Sequence, residues 1–414
     1  METLPYSQRL EYSRDFRAAD EEFRNGRVEA TTKNREKYSA AWKSYCQPLG
    51  VDPTLAKDTT PLATKLRTTS GFAARVRRGY YGRGRQVAAG TVSSALTAVG
   101  QAISMDTGGN PLKTESSDKL LFPLQVMMDG MRKVDPPTTK KLPVEVDIPE
   151  LLVRMAHVTV NAARAQAIAD LTLIAFYYLL RVGEYTCKGT RNESKQTVQF
   201  RTGDCTFFKK NHNGKLQQLS RWAPAEDIMA ADSATLQLTN QKNGWKNVCI
   251  NHHHNGEKLL SPTKAIARRY LHIRDNTTSD DFLTTNLSAC FVNGCKYEVT
   301  DKDVRHAIKY AAKELNYPEN KGIPIERIDT HSLRGGGANA LSLAGYSDRE
   351  IQKMGRWKSN TFKEYISDQL SQFSEGMSKS MKKLFNFVNV EGGVLHDVTN
   401  TAVNTPYTNT NTSV

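Results

Sequence analysis

Three short stretches of this sequence hold residue types that can act on a phosphate ester. The first runs Arg327-Ile-Asp-Thr-His331-Ser-Leu-Arg334-Gly-Gly-Gly. His331 and Arg334 are three residues apart, so one helical turn points both the same way. The glycines at 335–337 permit close backbone approach and leave room beside a helix start. A helix N-terminus there would add its amides and positive dipole end toward an anion. The competing reading is a surface histidine and a solvated arginine before a glycine-rich bend. The second stretch, Leu179-Leu-Arg181-Val-Gly-Glu184, ends a very apolar helix with an arginine. A charge in that position must be paired or must face a polar cavity. An Arg181–Glu184 pair at a helix end accounts for it as well as a functional role does. The third is a Gly355-Arg356-Trp357 turn followed by a short helix that carries Tyr365. Taken alone, a tyrosine on an amphipathic helix is more often core or surface than reactive.

Other candidate chemistry is thin. Asn251-His-His-His-Asn255 holds three consecutive histidines, which cannot all face one ion in a strand or a helix. They read as a polar loop after a hairpin. Six cysteines are scattered at positions 46, 187, 205, 249, 290 and 295. They read as reduced thiols. Cys290 and Cys295 are too far apart for a CxxC knuckle, so neither a metal nor a cofactor is expected.

The elements that must position these residues follow from pattern and composition. The chain has 414 residues, with 57 Lys and Arg against 43 Asp and Glu, for a formal charge of +14. That surplus points to a polyanionic partner. No apolar run approaches the ~18 residues of a membrane span, and the N-terminus lacks an apolar leader core. Neither membrane insertion nor secretion is expected. Residues 1–28 read as a flexible arm or a loosely attached helix. Residues 29–132 read as a helical DNA-binding module. Its first helix is capped by Thr31 or Thr32 and presents Tyr38, Trp42 and Tyr45 on one face. Further helical patterns cover 60–78 and 90–104. Between them, Arg75, Arg77, Arg78, Arg83 and Arg85 are interleaved with two tyrosines and three glycines. Such a run suits phosphate and base contacts, although a solvated basic loop is an equal reading. Residues 133–144 are a proline-rich linker. The second domain, 145–390, opens with helix over 148–185. Strand-like segments follow at 197–200, 205–208 and 234–239, and the Asn243-Gly244 dipeptide marks a hairpin. Helical patterns return at 265–275, 301–315, 332–344, 348–354 and 361–370. Residues 391–414 read as a disordered tail. The fold class is mainly α with a small antiparallel β-sheet.

In this order and spacing, the motifs resemble the tyrosine recombinases, also called the phage integrase family. Its members carry a helix ending in Arg-x-Gly-Glu, a hairpin lysine, His-x-x-Arg, a Gly-His or Gly-Trp turn and a nucleophilic tyrosine. The matching residues are Arg181 with Gly183 and Glu184, Lys242, His331 with Arg334, Gly355 to Trp357, and Tyr365. The similarity spans about 145–370, and the N-terminal module resembles the family's core-binding domain. The Gly-Arg-Trp-x-Ser form resembles the eukaryotic mobile-element branch, such as Crypton-like or DIRS-like recombinases. Two departures stand out. Position 356, nine residues before Tyr365, holds arginine where the family carries His or Trp, and Trp357 is one residue nearer. Trp357 is the favoured phosphate donor, with Arg356 the alternative. Lys242 is the favoured hairpin lysine, with Lys246 in reserve.

The resemblance implies a helical core-binding domain plus a tyrosine-recombinase catalytic domain, acting in DNA integration or site-specific recombination. Tyr365 would attack a scissile phosphodiester, leaving a 3′-phosphotyrosyl bond and a free 5′-hydroxyl. Arg181 and Arg334 would neutralise the transition state. Lys242 would protonate the leaving oxygen, and His331 would accept or share the tyrosine proton. Glu184 would orient Arg181. The implied partner is double-stranded DNA, bound by a homotetramer that is monomeric or dimeric in solution, with residues 371–390 docking neighbours. No small-molecule substrate is implied. The expected location is the nucleus in a eukaryote and the cytoplasm otherwise. An inactive DNA-binding derivative and a type IB topoisomerase-like relaxing enzyme are the alternatives.

Overall fold

The computed structural model describes residues 5–25, 29–56, 59–114, 117–136, 140–159, 162–187, 198–239, 247–359 and 363. The first helix, α1 (Tyr6–Asn25), leaves Tyr6, Leu10, Tyr12 and Phe16 exposed to solvent. α2 (Glu29–Cys46) begins before Thr31 and Thr32, so neither threonine caps it. Tyr38, Trp42 and Cys46 recur every fourth residue on its buried face. Trp42 packs edge-on against Phe72 of α3 (Leu62–Arg77), with ring centroids 5.2 Å apart. Its indole N–H donates to the Pro53 carbonyl at 2.8 Å, satisfying the one polar atom of a buried ring. α4 (Ala89–Thr107) buries Val92, Leu96, Val99 and Ile103 and stops at Gly108, whose φ of 80° is left-handed. α5 (Phe122–Lys133) contributes Leu124 and Met128 to the same core. The sequence pattern did not announce α5, because only two of its residues are buried.

A second core spans residues 144–333. It starts with α6 (Asp147–Ala156), α7 (Ala162–Tyr177) and the single turn α8 (Val182–Tyr185). Leu171, Leu173, Ile174 and Ala175 are all buried, so α7 is enclosed as its continuous apolar run implies. Then come β1 (Cys205–Lys210), β2 (Leu216–Gln218), α9 (Ala225–Met229), β3 (Ser233–Leu238) and β4 (Val248–His253). These strands form an antiparallel sheet in the order β2-β1-β3-β4. β3 and β4 pair from Ser233 opposite His253 to Leu238 opposite Val248, which is the hairpin expected around Asn243-Gly244. Residues 240–246, including Lys242 and Lys246, lie outside the described residues.

Two sequence expectations need correction here. Residues 198–200 form no strand; beside them Arg201 makes one isolated bridge to Asn286. His252 and His253 belong to strand β4 rather than to a loop, because their backbone pairs with Ala234 and Ser233.

The chain continues through α10 (Pro262–Arg274), α11 (Ser279–Phe282) and the hairpin of β5 (Ala289–Val292) with β6 (Cys295–Glu298). That hairpin turns on Asn293 and Gly294, at φ 51° and 77°. Positive φ at both central residues is the geometry Asn-Gly favours. α12 (Asp301–Glu314), α13 (Tyr317–Lys321), α14 (Thr330–Leu343) and α15 (Asp348–Gly355) complete the described elements.

One packing constraint places the candidate site. Gly336 and Gly337 are buried inside α14 rather than forming a bend. A Cβ on Gly336 would collide with the Val144 carbonyl, and one on Gly337 would collide with the Phe176 carbonyl. Only glycine lets α14 lie directly on the end of α7. Alanine would gain about 1 kcal/mol of helix propensity, but overpacking here costs about 1–3 kcal/mol and more against rigid backbone. Gly337→Ala is therefore expected to lower the urea unfolding midpoint; an unchanged or raised midpoint would refute the close-packing argument.

Candidate active site

α7 ends at Tyr177, and Leu179 adopts a left-handed conformation at φ 48°. This turn redirects the chain so that Arg181 becomes the N-cap of α8. Glu184 closes the cap: its Oε2 accepts the Arg181 backbone N–H at 3.0 Å. Its Oε1 accepts from Arg181 Nη1 at 3.3 Å. The Glu184 side chain is wholly buried, whereas that of Arg181 keeps 23% of its surface. The two readings of Arg181 thus coexist: it is paired, and it still faces outward.

The His-x-x-Arg segment opens α14. Asp329 caps the helix, with Oδ1 accepting the Thr330 N–H at 2.7 Å and Ser332 Oγ accepting the Asp329 N–H at 3.0 Å. Arg305 of α12 holds the same carboxylate at 3.0 Å. His331 is therefore in the first turn of a helix and exposed, near the positive end of the helix dipole. Arg334 follows one turn later and is buried. Its Nη2 donates to the Gly355 carbonyl at 2.5 Å, and its guanidinium lies 4.4 Å from the centre of the Trp357 ring.

The Gly355-Arg356-Trp357 turn ends α15, and Arg356 is left-handed at φ 58°. A Cβ on Gly355 would overlap the Trp357 ring, so glycine is required there. Trp357 is buried in a small apolar cluster with Leu179, Ala338 and Ile351, supporting Arg334 through its ring face. Arg356 points inward. Its Nη2 donates to Glu184 Oε2 at 3.1 Å and to the Leu179 carbonyl at 3.0 Å.

Three chain segments thus converge: 179–184, 329–334 and 355–357. Two guanidinium groups, those of Arg181 and Arg356, share the Glu184 carboxylate, and with Arg334 beside them the group keeps a local excess of positive charge in a poorly solvated place, where it is weakly screened. Partial desolvation holds His331 below the ordinary imidazole value of 6.5; Asp329 opposes this, and the charges of Arg334 and Arg181 push it down further. The imidazole is consequently neutral near pH 7 and able to accept a proton. Burial works against the Arg356 cation, Glu184 favours it, and Arg181 disfavours it. Arrangements of this kind bind an oxyanion and move a proton next to it.

His252 joins the β3–β4 hairpin to the same region. Its Nε2 lies 2.9 Å from the Tyr177 carbonyl, so the ring nitrogen is the donor, and its ring packs on Tyr178 at 4.5 Å. Burial pushes its pKa down to about 4.

Of the other residues singled out in the sequence, Tyr365 lies outside the described residues, as do Lys242 and Lys246. In the N-terminal module, Arg75 lies 4.8 Å from the Tyr45 ring centre and 4.9 Å from that of Tyr80. Arg78, Arg83 and Arg85 are exposed. Arg77 is instead buried, bound to Asp135 and to the Val87 carbonyl at 2.5 Å, which commits it to the fold. The sequence reading did not single out Leu179, Asp329 or Arg305; their roles come from backbone conformation and capping. Among the described residues no cluster of His, Cys, Asp or Glu is arranged to hold a metal ion. No helix among them is long and apolar enough to cross a membrane.

Among solved structures, the chain is similar to the Tn1549 transposon integrase in complex with transposon right end DNA. The identity is 12%, covering 87% of this chain and 97% of that chain, with a TM-score of 0.44. It is also similar to XerH site-specific recombinase bound to difH substrate, at 11% identity over 83% and 77% of the two chains and a TM-score of 0.44. XerA recombinase is similar at 14% identity over 88% and 97%, with a TM-score of 0.34. No protein-family model matches the sequence, and no curated protein does.

Two titrations check this geometry. The His331 imidazole, followed by NMR, should titrate below 6.5, and Arg181→Met should raise its midpoint; a midpoint that ignores this substitution would place Arg181 elsewhere. For His252 the folded-state pKa is depressed, so its contribution to stability is complete above about pH 6.5 and is lost as pH falls through about 4. The difference in unfolding free energy between wild type and His252→Gln should shrink over that window, by at most about 1.4 kcal/mol per pH unit.

Proposed function

We propose that this protein is a tyrosine recombinase that cleaves and rejoins double-stranded DNA through a 3′-phosphotyrosyl intermediate. The observation that carries the reading is the convergence of Arg181 with the His331–Arg334 pair, which lies far from it in sequence, on one positive site with a neutral imidazole. In this reading Arg181 and Arg334 stabilise the negative charge on the non-bridging oxygens. His331 takes the hydroxyl proton of Tyr365 as its oxygen attacks phosphorus. The P–O bond to the 5′-oxygen breaks, and Lys242 returns a proton to that leaving group. Bond energy is kept in the phosphotyrosine, so rejoining needs no nucleotide cofactor. Trp357 acts by supporting Arg334.

Residues 29–132 serve as the core-binding domain, in which Arg78, Arg83 and Arg85 reach phosphates, and residues 133–144 link it to the catalytic domain at 145–390. The active form is a homotetramer on DNA, docked through 371–390. The Gly-Arg-Trp-x-Ser form favours a eukaryotic mobile element and a nuclear location.

The test uses nicked suicide duplexes from the ends of the parent element, in EDTA. Wild type is expected to form a denaturant-stable protein–DNA adduct, and Tyr365→Phe none. Arg181→Ala should slow adduct formation about 10²–10³-fold. Joining to a second duplex separates strand exchange from the relaxation expected of a type IB topoisomerase. Tight binding without any adduct would point to an inactive DNA-binding derivative instead.

A further inference from the structure

Arg356 holds the sequence position where the family carries a phosphate donor, yet its side chain is 2% exposed and its Nη2 donates to Glu184 and the Leu179 carbonyl. We infer that Arg356 is a positioning residue that keeps Arg181 available to a phosphate by taking up part of the Glu184 charge. The inference rests on the recombinase reading for its consequence in catalysis, although the charge relationship stands without DNA.

The geometry of the shared carboxylate comes first. Glu184 Oε2 receives the Arg181 backbone N–H at 3.0 Å and Arg356 Nη2 at 3.1 Å, while the Arg181 side chain makes the longest contact, 3.3 Å to Oε1. Arg181 commits one of its five N–H donors to Glu184, and the rest of its fork remains for an oxyanion. Two guanidinium groups around one carboxylate leave a net charge of +1. Without Arg356, the buried carboxylate would have Arg181 as its sole cation among the described residues, the pair would close, and the net charge would be zero.

Backbone conformation makes a second, independent observation. Leu179 and Arg356 are both left-handed, at φ 48° and 58°, and the Arg356 guanidinium bonds the Leu179 carbonyl. Non-glycine residues seldom adopt this conformation, and its occurrence at two joined residues marks a place where geometry matters more than local stability. Third, Nε and Nη1 of Arg356 are buried without an acceptor among the described residues. A residue present only to fill space would do better as methionine, since buried unsatisfied donors are unfavourable.

The full-length protein is compared with Arg356→Met, Glu184→Gln, the double variant and Arg356→Lys. Two quantities are read: the His331 titration midpoint without DNA, and the rate of adduct formation on the nicked duplex alongside its affinity. Arg356→Met should raise the His331 midpoint and slow adduct formation about 10²-fold. Its affinity should change little, because affinity is spread over many phosphates. The double variant restores the net charge, and the carboxamide oxygen that replaces the carboxylate still accepts the Arg181 N–H, so both quantities should move back toward wild type. Arg356→Lys keeps the charge and serves if Arg356→Met does not fold; its His331 midpoint should stay at the wild-type value. Wild-type behaviour of Arg356→Met, or a double variant no better than the single, would overturn the role and leave Arg356 as packing. An absence of adduct in wild type would sink the recombinase reading alone, with the His331 midpoints still deciding Arg356.

Discussion

A carboxylate with no solvent exposure must have its charge met by the protein, and Glu184 is the interaction on which the rest of this structure depends. Its partners are the N-cap of α8 and the turn after α15. Removing one side of such a buried pair typically costs about 3–5 kcal/mol, so the two segments are tied together strongly. The same constraint explains the left-handed turn at Leu179, which aims Arg181 at its cap and offers a carbonyl to Arg356. It also explains the glycines. α14 can bring His331 and Arg334 to this place because Gly336 and Gly337 let its backbone rest on α7 and on the segment at Val144.

The arginines illustrate how one residue type takes on separate tasks through its surroundings. Arg181 is partly exposed and loosely held. Arg334 is enclosed between a carbonyl and an indole ring. Arg356 is turned away from solvent altogether. A neutral histidine at the open end of this group follows first from its partial desolvation and then from the charges of Arg334 and Arg181, with Asp329 opposing them.

Much of this was legible beforehand, and the rest was hidden for identifiable reasons. The helices around Trp42, Val99, Ile174 and Ala311 announced themselves by apolar spacing, and the β3–β4 hairpin by alternation and an Asn-Gly pair. The β5–β6 hairpin carries the same signal at Asn293-Gly294, yet it is flanked by strands too short to alternate visibly. β2 is exposed along its length and has no pattern to read. The glycine run at 335–337 lies inside the helix expected over 332–344, but the sequence does not say what another helix requires of it. In the site, residue types and order pointed to Arg181, His331 and Arg334. The direction of Arg356 depends on the sign of one φ angle, and no local pattern encodes it.

The separation of Glu184 from Arg356 has a consequence for biosynthesis. The two residues are 172 positions apart. While the ribosome is still making the chain, the segment through α8 exists long before its counter-charge does. Until the last turn is released, a folded α7–α8 corner would hold a buried carboxylate without its second cation, and non-local contacts of this kind form late. An unfinished chain would therefore be poorly able to assemble the cationic site around Glu184. The cationic site is thus a late feature of the chain, complete only after the segment bearing Arg356 has been made.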